Sequence, residues 1–128
     1  MVSTLMKYNE KVEAKFKEAT SAEKAVFMSG VSHYEIKRGL LAVNATRKLK
    51  LYYEVRKDFQ MLFLDSEEVF DKAAEIYADL KQRGQLIQDA DILIAATALL
   101  RNLILVSNDS HFQRISGLKA ENWITDST

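Results

Sequence analysis

The 128-residue sequence contains no cysteine, no proline and only two histidines, His33 and His111. Without cysteine the chain has no disulfide, no thiolate metal ligand and no cysteine nucleophile, a composition that fits the cytoplasm. A histidine-rich zinc site is disfavoured by so few imidazoles. Any metal ion would therefore be held by carboxylates, which favours hard ions such as Mg²⁺ or Mn²⁺.

An excess of charge is also absent, because 18 Lys and Arg balance 18 Asp and Glu. Proteins that coat nucleic acid usually carry a strong positive excess, so that class is disfavoured, although a local basic patch remains open. The longest apolar run, residues 92–100, is too short to span a membrane, and no signal peptide is recognisable. The length predicts a single domain over residues 1–128 with a real hydrophobic core.

Hydrophobic periodicity predicts helices that alternate with strands. The predicted helices cover residues 3–19, residues 32–59 with a break between Gly39 and Asn44, residues 66–84 and residues 90–101. Short apolar runs predict strands at residues 26–31, 61–64, 103–106 and 121–124. This alternation implies a parallel sheet in a three-layer α/β domain.

The helix starts carry recognisable caps. Ser32, with Glu35 three residues later, matches a capping box, and Ser66 and Asp89 are expected to cap the next two helices. The helix after Ser66 is expected to bury one face, formed by Phe70, Ala73, Ala74, Tyr77 and Leu80. The helix after Asp89 is apolar nearly all round and is expected to be deeply buried.

Three acids have a route to one edge of the predicted sheet. Glu35 and Asp109 follow strands by a few residues, and Asp91 opens the buried helix. Ligands bind at the carboxyl ends of parallel strands, so these acids are candidates for a site. A carboxylate in a first helical turn is also stabilised by the helix dipole, which is the competing structural interpretation. Asp91 is the strongest candidate, because Asp89 is expected to fill the cap and the residues that follow offer no polar partner.

Three stretches resemble motifs of the PIN-domain family, in particular the VapC-type toxin ribonucleases, and they occur in the family's order. Residues 87–98 are similar to the segment in which an acid precedes a Leu-Ile-Ala-Ala-Thr-Ala helix, with Asp91 in the acid position. Residues 105–112 resemble Thr-x-Asp before Phe, with Asp109 as the acid. Residues 32–39 resemble Thr-x-x-Glu-x-x-x-Gly, with Glu35 as the acid.

The resemblance implies a metal-dependent endoribonuclease in which Glu35, Asp91 and Asp109 bind Mg²⁺ or Mn²⁺ and carry the catalysis. The implied partners are an RNA substrate and a VapB-like antitoxin. Weaker candidates for supporting or substrate-contacting groups are Ser32, Ser107, Asn108, Lys37 and Arg38. For the polar residues the competing role is a turn, and for the cations it is a solvated helix face.

The sequence departs from the family at its start. The family opens with a hydrophobic strand that ends in Asp-Thr-Asn and is followed by a helix. Residues 2–8 are similar to that helix, and no aspartate precedes Asp58. We therefore expect an N-terminally truncated PIN-like domain without the first, central strand and its acid, and a weakened metal site. The open seam between residues 26–31 and 103–106 would be closed by rearrangement or by an element exchanged within a homodimer.

Two other functions remain open at this point. The chain is alternatively a degenerate, non-catalytic PIN-like domain that dimerises or binds an antitoxin, or an unrelated α/β domain whose acids are caps. The long helical stretch carries more leucines and tyrosines than one buried face needs. The surplus favours a dimer or antitoxin contact, with core packing as the competing interpretation. Its members are Leu40, Leu41, Leu49, Leu51, Tyr52 and Tyr53.

Overall fold

Five parallel strands form one sheet in the computed structural model, which describes residues 3–6, 25–107 and 109–121. The strands are β1 (Ser3–Met6), β2 (Ala25–Ser29), β3 (Gln60–Leu62), β4 (Ile104–Val106) and β5 (Ala120–Glu121). Their order across the sheet is β3-β2-β1-β4-β5. All four neighbouring pairs in this order are parallel, which confirms the predicted parallel sheet.

Helices connect the strands from β2 to β5, as parallel pairing requires a crossover between successive strands. They are α1 (Gly30–Ala42), α2 (Thr46–Arg56), α3 (Glu67–Gln82), α4 (Asp89–Leu100) and a 3₁₀ helix (Ser110–Arg114). Asn44 and Gly84 adopt positive φ angles of 53° and 68° directly after α1 and α3. Such left-handed residues end helices, so the predicted break before Asn44 and the predicted end at Gly84 are confirmed. No helix in the described part of the chain is long and apolar enough to cross a membrane.

The core is divided in two by the sheet, because alternate side chains of a strand point to opposite faces. Val26 and Met28 of β2 pack with Tyr52 on the side covered by α1 and α2. Leu5 of β1 and Leu105 of β4 pack on the other side, against α3 and α4. The three-layer α/β architecture is thereby confirmed, and α4 is deeply buried as predicted.

β1 overturns the expectation that the central strand is missing. Residues 3–6 form a strand, where the periodicity predicted the start of a helix, and Leu5 lies opposite both Phe27 and Leu105. A central parallel strand is covered on both faces and gains its stability from its neighbours, so sheet pairing overrides the local helical pattern. The chain's own residues fill the seam, which removes the reason to expect an exchanged element. The rest of the predicted helix lies outside the described residues.

Two predicted helix caps are wrong. Ser29, and not Ser32, caps α1, since its Oγ accepts a hydrogen bond from the N–H of Val31 at 3.1 Å. The helix starts directly from the end of β2 without a loop, so the last residue of the strand serves as the cap. α4 begins at Asp89 itself, and its N-cap is Gln88, whose side chain makes no capping hydrogen bond.

The buried face of α3 also differs from the prediction. Ser66 precedes the helix as its N-cap, as expected. The buried residues are Val69, Ala73, Ile76 and Leu80, whereas Phe70, Ala74 and Tyr77 of the predicted face are exposed. Both sets have helical spacing, so periodicity alone does not distinguish them. Packing against α4 selects the aliphatic set and leaves the aromatic rings on the surface.

Candidate active site at the carboxyl edge of the sheet

Several polar side chains are buried where the parallel strands end. β2 ends at Ser29 and β4 is followed by Ser107, and both side chains are buried. α1 starts at the same edge and carries the buried Ser32, with Glu35 one turn further along. Ligands of parallel α/β sheets bind at this edge, and buried polar groups normally occur only where they have partners.

Two side-chain oxygens of α1 are buried without a hydrogen-bond partner in the described part of the chain. They are Oγ of Ser32 and Oε1 of Glu35. Residues three apart are neighbours on a helix surface, so the two oxygens belong to one region. The second carboxylate oxygen of Glu35, Oε2, lies 3.9 Å from Nη2 of Arg38. An unsatisfied buried polar atom costs about 1–3 kcal/mol, which makes this pair a place where a ligand, a water molecule or a cation would be stabilised.

Asp91 lies in the first turn of α4 and is only 3% exposed. Ionised side chains are rarely so buried unless they are paired or bind a metal ion. Asp89 does not cap α4, contrary to the expectation that singled out Asp91, because Gln88 occupies the cap position. The burial of Asp91 at the end of an apolar helix replaces the capping argument as the reason to single it out.

Asp109 has a structural role that its motif does not reveal. Its Oδ1 accepts a hydrogen bond from the backbone N–H of His111 at 2.9 Å and lies 3.0 Å from Nδ1 of the same residue. Its own N–H donates to Oγ of Ser107 at 3.0 Å. Asp109 is thus the N-cap of the 3₁₀ helix, held beside the end of β4. Asn108 lies outside the described residues.

The two candidate cations on α1 both lie against aromatic rings. Nζ of Lys37 is 5.4 Å from the centre of the Tyr53 ring. The guanidinium of Arg38 is 5.1 Å from the centre of the Tyr34 ring, and it also approaches Glu35. Cation–π contacts of this kind hold the long side chains in place. Positive charge is therefore held in place on α1, by Lys37 towards α2 and by Arg38 beside Tyr34.

His33 was noted in the sequence only as one of two imidazoles, yet it joins α1 to α2. Its Nδ1 lies 2.6 Å from the hydroxyl of Tyr52, and the two rings are stacked with their centres 5.7 Å apart. Burial, followed by the positive charges of Arg56 and Lys37, lowers the pKa of His33. No sequence signal marks this contact, because its partner is 19 residues away in the chain.

The three acids lie on different elements and do not form one cluster in the described part of the chain. Among residues 3–6, 25–107 and 109–121, no three acidic or imidazole side chains lie close enough together to hold a metal ion. Glu35, Asp91 and Asp109 are therefore not gathered into one group here. In the sequence, β1 is followed by Lys7 and not by an aspartate. Lys7 lies outside the described residues, so the loss of the family's first acid stays a prediction.

Comparison with known proteins matches residues 2–118 to the family model described as the PIN domain. The chain belongs to the PIN domain family. This PIN domain is 36% identical over 95 residues to ribonuclease VapC1 of Methanocaldococcus jannaschii, covering 72% of the chain and 67% of the relative. It is 34% identical over 108 residues to a VapC ribonuclease of Pyrococcus furiosus, covering 83% and 70%.

Solved structures share the fold of this PIN domain. The structure of DNA-bound VapBC from Salmonella typhimurium matches with a TM-score of 0.79 and 22% identity, over 96% of this chain and 99% of that one. VapBC2 from Rickettsia felis, bound to a promoter DNA fragment, matches with a TM-score of 0.76 and 21% identity over the same shares. At such identities the likeness establishes the fold, and it confirms the PIN-like α/β architecture.

Proposed function

We propose that this chain is a metal-dependent endoribonuclease of the VapC toxin type, which hydrolyses phosphodiester bonds in RNA. Its family and its ribonuclease relatives support the reaction class. The observation that carries the proposal is Oε1 of Glu35, which is buried and has no hydrogen-bond partner among the described residues, together with the burial of Asp91 in the first turn of α4. Carboxylate oxygens are the ligands that Mg²⁺ and Mn²⁺ prefer, so the donor set fits such an ion.

In this proposal Glu35, Asp91 and Asp109 hold the ion. A bound Mg²⁺ or Mn²⁺ supplies Lewis-acid stabilisation of the phosphoryl oxygens and an activated water. Glu35 offers an oxygen that no described group satisfies, and the burial of Asp91 strengthens its attraction for a cation. Asp109 would supply a third carboxylate; its Oδ1 accepts from the N–H of His111, and its own N–H donates to Ser107, which holds it beside the end of β4.

The remaining polar candidates would orient the substrate or contact its phosphates. Ser32 adds a second oxygen without a partner among the described residues, and Ser107 and Asn108 would orient water or ligand after β4. Lys37 and Arg38 would provide positive charge for RNA phosphates along α1.

We also propose a VapB-like antitoxin partner and a homodimer, in the cytoplasm where both RNA and antitoxin would be met. The support is the likeness to solved toxin–antitoxin complexes and the exposed leucines Leu41 and Leu51 of the α1–α2 pair. Tyr52, from the same apolar set, belongs to the core instead. A shallow cavity of about 500 Å³ lies on α2, lined by Arg47, Leu49, Lys50, Leu51, Tyr53 and Glu54.

Manganese titration by calorimetry, with cleavage of single-stranded RNA in the same buffer, tests the enzyme. Loss of a group that only hydrogen-bonds to a metal ligand weakens metal binding by about 10- to 100-fold. We expect Asp91→Asn and Glu35→Gln to weaken Mn²⁺ binding by more than this. Asp89→Asn is the matched control, because this neighbouring acid of α4 is exposed. Binding that Asp91→Asn leaves unchanged would overturn the metal assignment.

The second candidate function is a non-catalytic PIN-like domain that dimerises or binds the antitoxin. It is favoured by the lack of a three-acid group in the part of the chain that the structure describes, and by Lys7 after β1. The same assay separates the two functions. Cleavage that requires Mn²⁺ and is lost in Asp91→Asn supports the enzyme. Antitoxin binding without cleavage at saturating Mn²⁺ supports the second candidate and contradicts the first.

A further inference from the structure

Two aromatic rings are exposed beside the candidate site. Phe63 directly follows β3 and is 63% exposed, and Tyr34 in the second turn of α1 is 60% exposed. Both lie on the side of the sheet covered by α1 and α2. Phe63 contacts the start of α1, and the alternation along β3 agrees, since Met61 packs into the core on that side. Their position next to a proposed RNA-cleaving edge makes them candidates for substrate contacts.

The two rings stand in one row with a guanidinium. A Cβ built on Gly30 would lie 3.1 Å from Cδ1 of Phe63, so the ring covers the first residue of α1. Gly30, Tyr34 and Arg38 follow one another at four-residue intervals and therefore share one face of the helix. The guanidinium of Arg38 is 5.1 Å from the centre of the Tyr34 ring. We call the row Phe63, Tyr34 and Arg38 the aromatic strip.

The aromatic strip starts at the carboxyl edge of the sheet. Leu62, the last residue of β3, lies opposite Ser29, the last residue of β2, and Phe63 and Gly30 are the next residues along each chain segment. Further along α1, Arg38 approaches the carboxylate of Glu35 at 3.9 Å. A chain bound along the strip would therefore pass beside Glu35, one of the proposed metal-binding acids.

Charge on the two sides of the sheet is opposite in sign. Residues 30–57, which contain α1 and α2, carry seven Lys and Arg against two acids. On the other side, α3 carries five acids against two Lys. The zero net charge of the chain thus hides a separation that attracts a polyanion to the α1–α2 side and repels it from α3.

We infer that the aromatic strip binds single-stranded RNA, with successive bases stacked on Phe63 and Tyr34 and a phosphate on Arg38. The inference rests on the proposed ribonuclease function and describes how its substrate is held. Aromatic platforms in a positive groove bind single strands with little sequence preference, because every base has a face to stack. Only unpaired bases expose those faces, so the preferred substrate is single-stranded. Gly30 permits the arrangement, since a larger residue there would press on the Phe63 ring.

Fluorescence anisotropy with a labelled single-stranded oligoribonucleotide tests the strip, with EDTA present to prevent cleavage and salt held constant. We expect Phe63→Leu and Tyr34→Leu each to weaken binding by about 5- to 100-fold, and Phe63→Trp to retain it. Phe70→Leu is the matched control, because this aromatic residue is 50% exposed on α3, across the sheet and on the acidic side. Phe70→Leu should bind like the wild type.

An abasic oligonucleotide of the same length distinguishes stacking from phosphate attraction. The wild type should bind it more weakly than Phe63→Leu binds RNA, because this oligonucleotide offers no base to either ring, and Phe63→Leu should bind it no more weakly than the wild type does. If both leucine variants bind RNA with wild-type affinity, the strip does not bind RNA. The same conclusion holds if the substitutions weaken only self-association or antitoxin binding. RNA binding that depends on the strip, without Mn²⁺-dependent cleavage, would support the strip as an RNA-binding surface and contradict the ribonuclease proposal. Mn²⁺-dependent cleavage with RNA binding that does not depend on the strip would support the ribonuclease proposal and contradict the role of the strip.

Discussion

His33 is a residue whose ionisation the fold controls. It lies between α1 and α2, with Nδ1 2.6 Å from the Tyr52 hydroxyl, which in turn donates to Sδ of Met28 at 3.4 Å. Burial first, and then the positive charges of Arg56 and Lys37, lower the pKa of His33 from its usual value of 6.5. The folded state therefore binds the proton of His33 less readily than the unfolded chain does.

This depressed pKa predicts that acid destabilises the fold through His33. As the pH falls below 6.5, the unfolded chain is protonated first, so stability present above that pH is lost as the pH falls towards the folded pKa. We expect urea denaturation to show a smaller loss for His33→Gln than for the wild type between about pH 8 and about pH 5. Lys37→Gln, which removes one of the repelling charges, should give an intermediate slope. The same pH dependence in the wild type and His33→Gln would contradict the prediction.

At the scale of elements, the 3₁₀ helix Ser110–Arg114 depends on its cap. Asp109 satisfies the N–H of His111, and loss of an N-cap side chain costs about 0.5–2 kcal/mol. We expect Asp109→Ala to lower the free energy of unfolding by this amount and Asp109→Asn to have little effect, since Asn caps equally well. Chemical denaturation of both variants measures the difference.

The same pair of variants separates the two roles of Asp109. Asp109→Asn keeps the cap and removes the charge, so a fall in Mn²⁺ affinity with unchanged stability would show that the carboxylate is a metal ligand. Equal stability losses in Asp109→Ala and Asp109→Asn would contradict the capping role.

The C-terminal ends of the helices were more predictable than their starts and their buried faces. The turns at Asn44 and Gly84 have local signals, because few residues other than Asn and Gly adopt a positive φ at low cost. The buried face of α3 was not predictable, because two sets of residues share the helical period and only α4 decides between Val69 and Phe70. The cap of α1 was predicted at Ser32 and lies at Ser29 for a similar reason. The position at which β2 ends depends on its pairing with β3, which no local pattern reveals.

At the scale of the whole molecule, the central strand β1 joins the two halves of the sheet. Leu5 is fully buried between β2 and β4, and it packs in the core formed with α3 and α4. We expect Leu5→Ala to lower the free energy of unfolding by about 2–5 kcal/mol, the usual cost of a cavity in a core. Urea denaturation with Leu51→Ala as the control measures it, because Leu51 of α2 is 59% exposed. Equal effects of the two substitutions would contradict the central position of β1.

The sequence alone determined the family, the α/β class, the parallel sheet and the motif positions of Glu35, Asp91 and Asp109, because these depend on local residue order and hydrophobic period. Tertiary structure decided the remaining features. It placed residues 3–6 in the centre of the sheet, buried Asp91, left Oε1 of Glu35 without a partner among the described residues and directed the Asp109 carboxylate towards His111. Each of these outcomes depends on contacts or solvent exposure that side chains acquire only when the chain folds, and no local pattern encodes them.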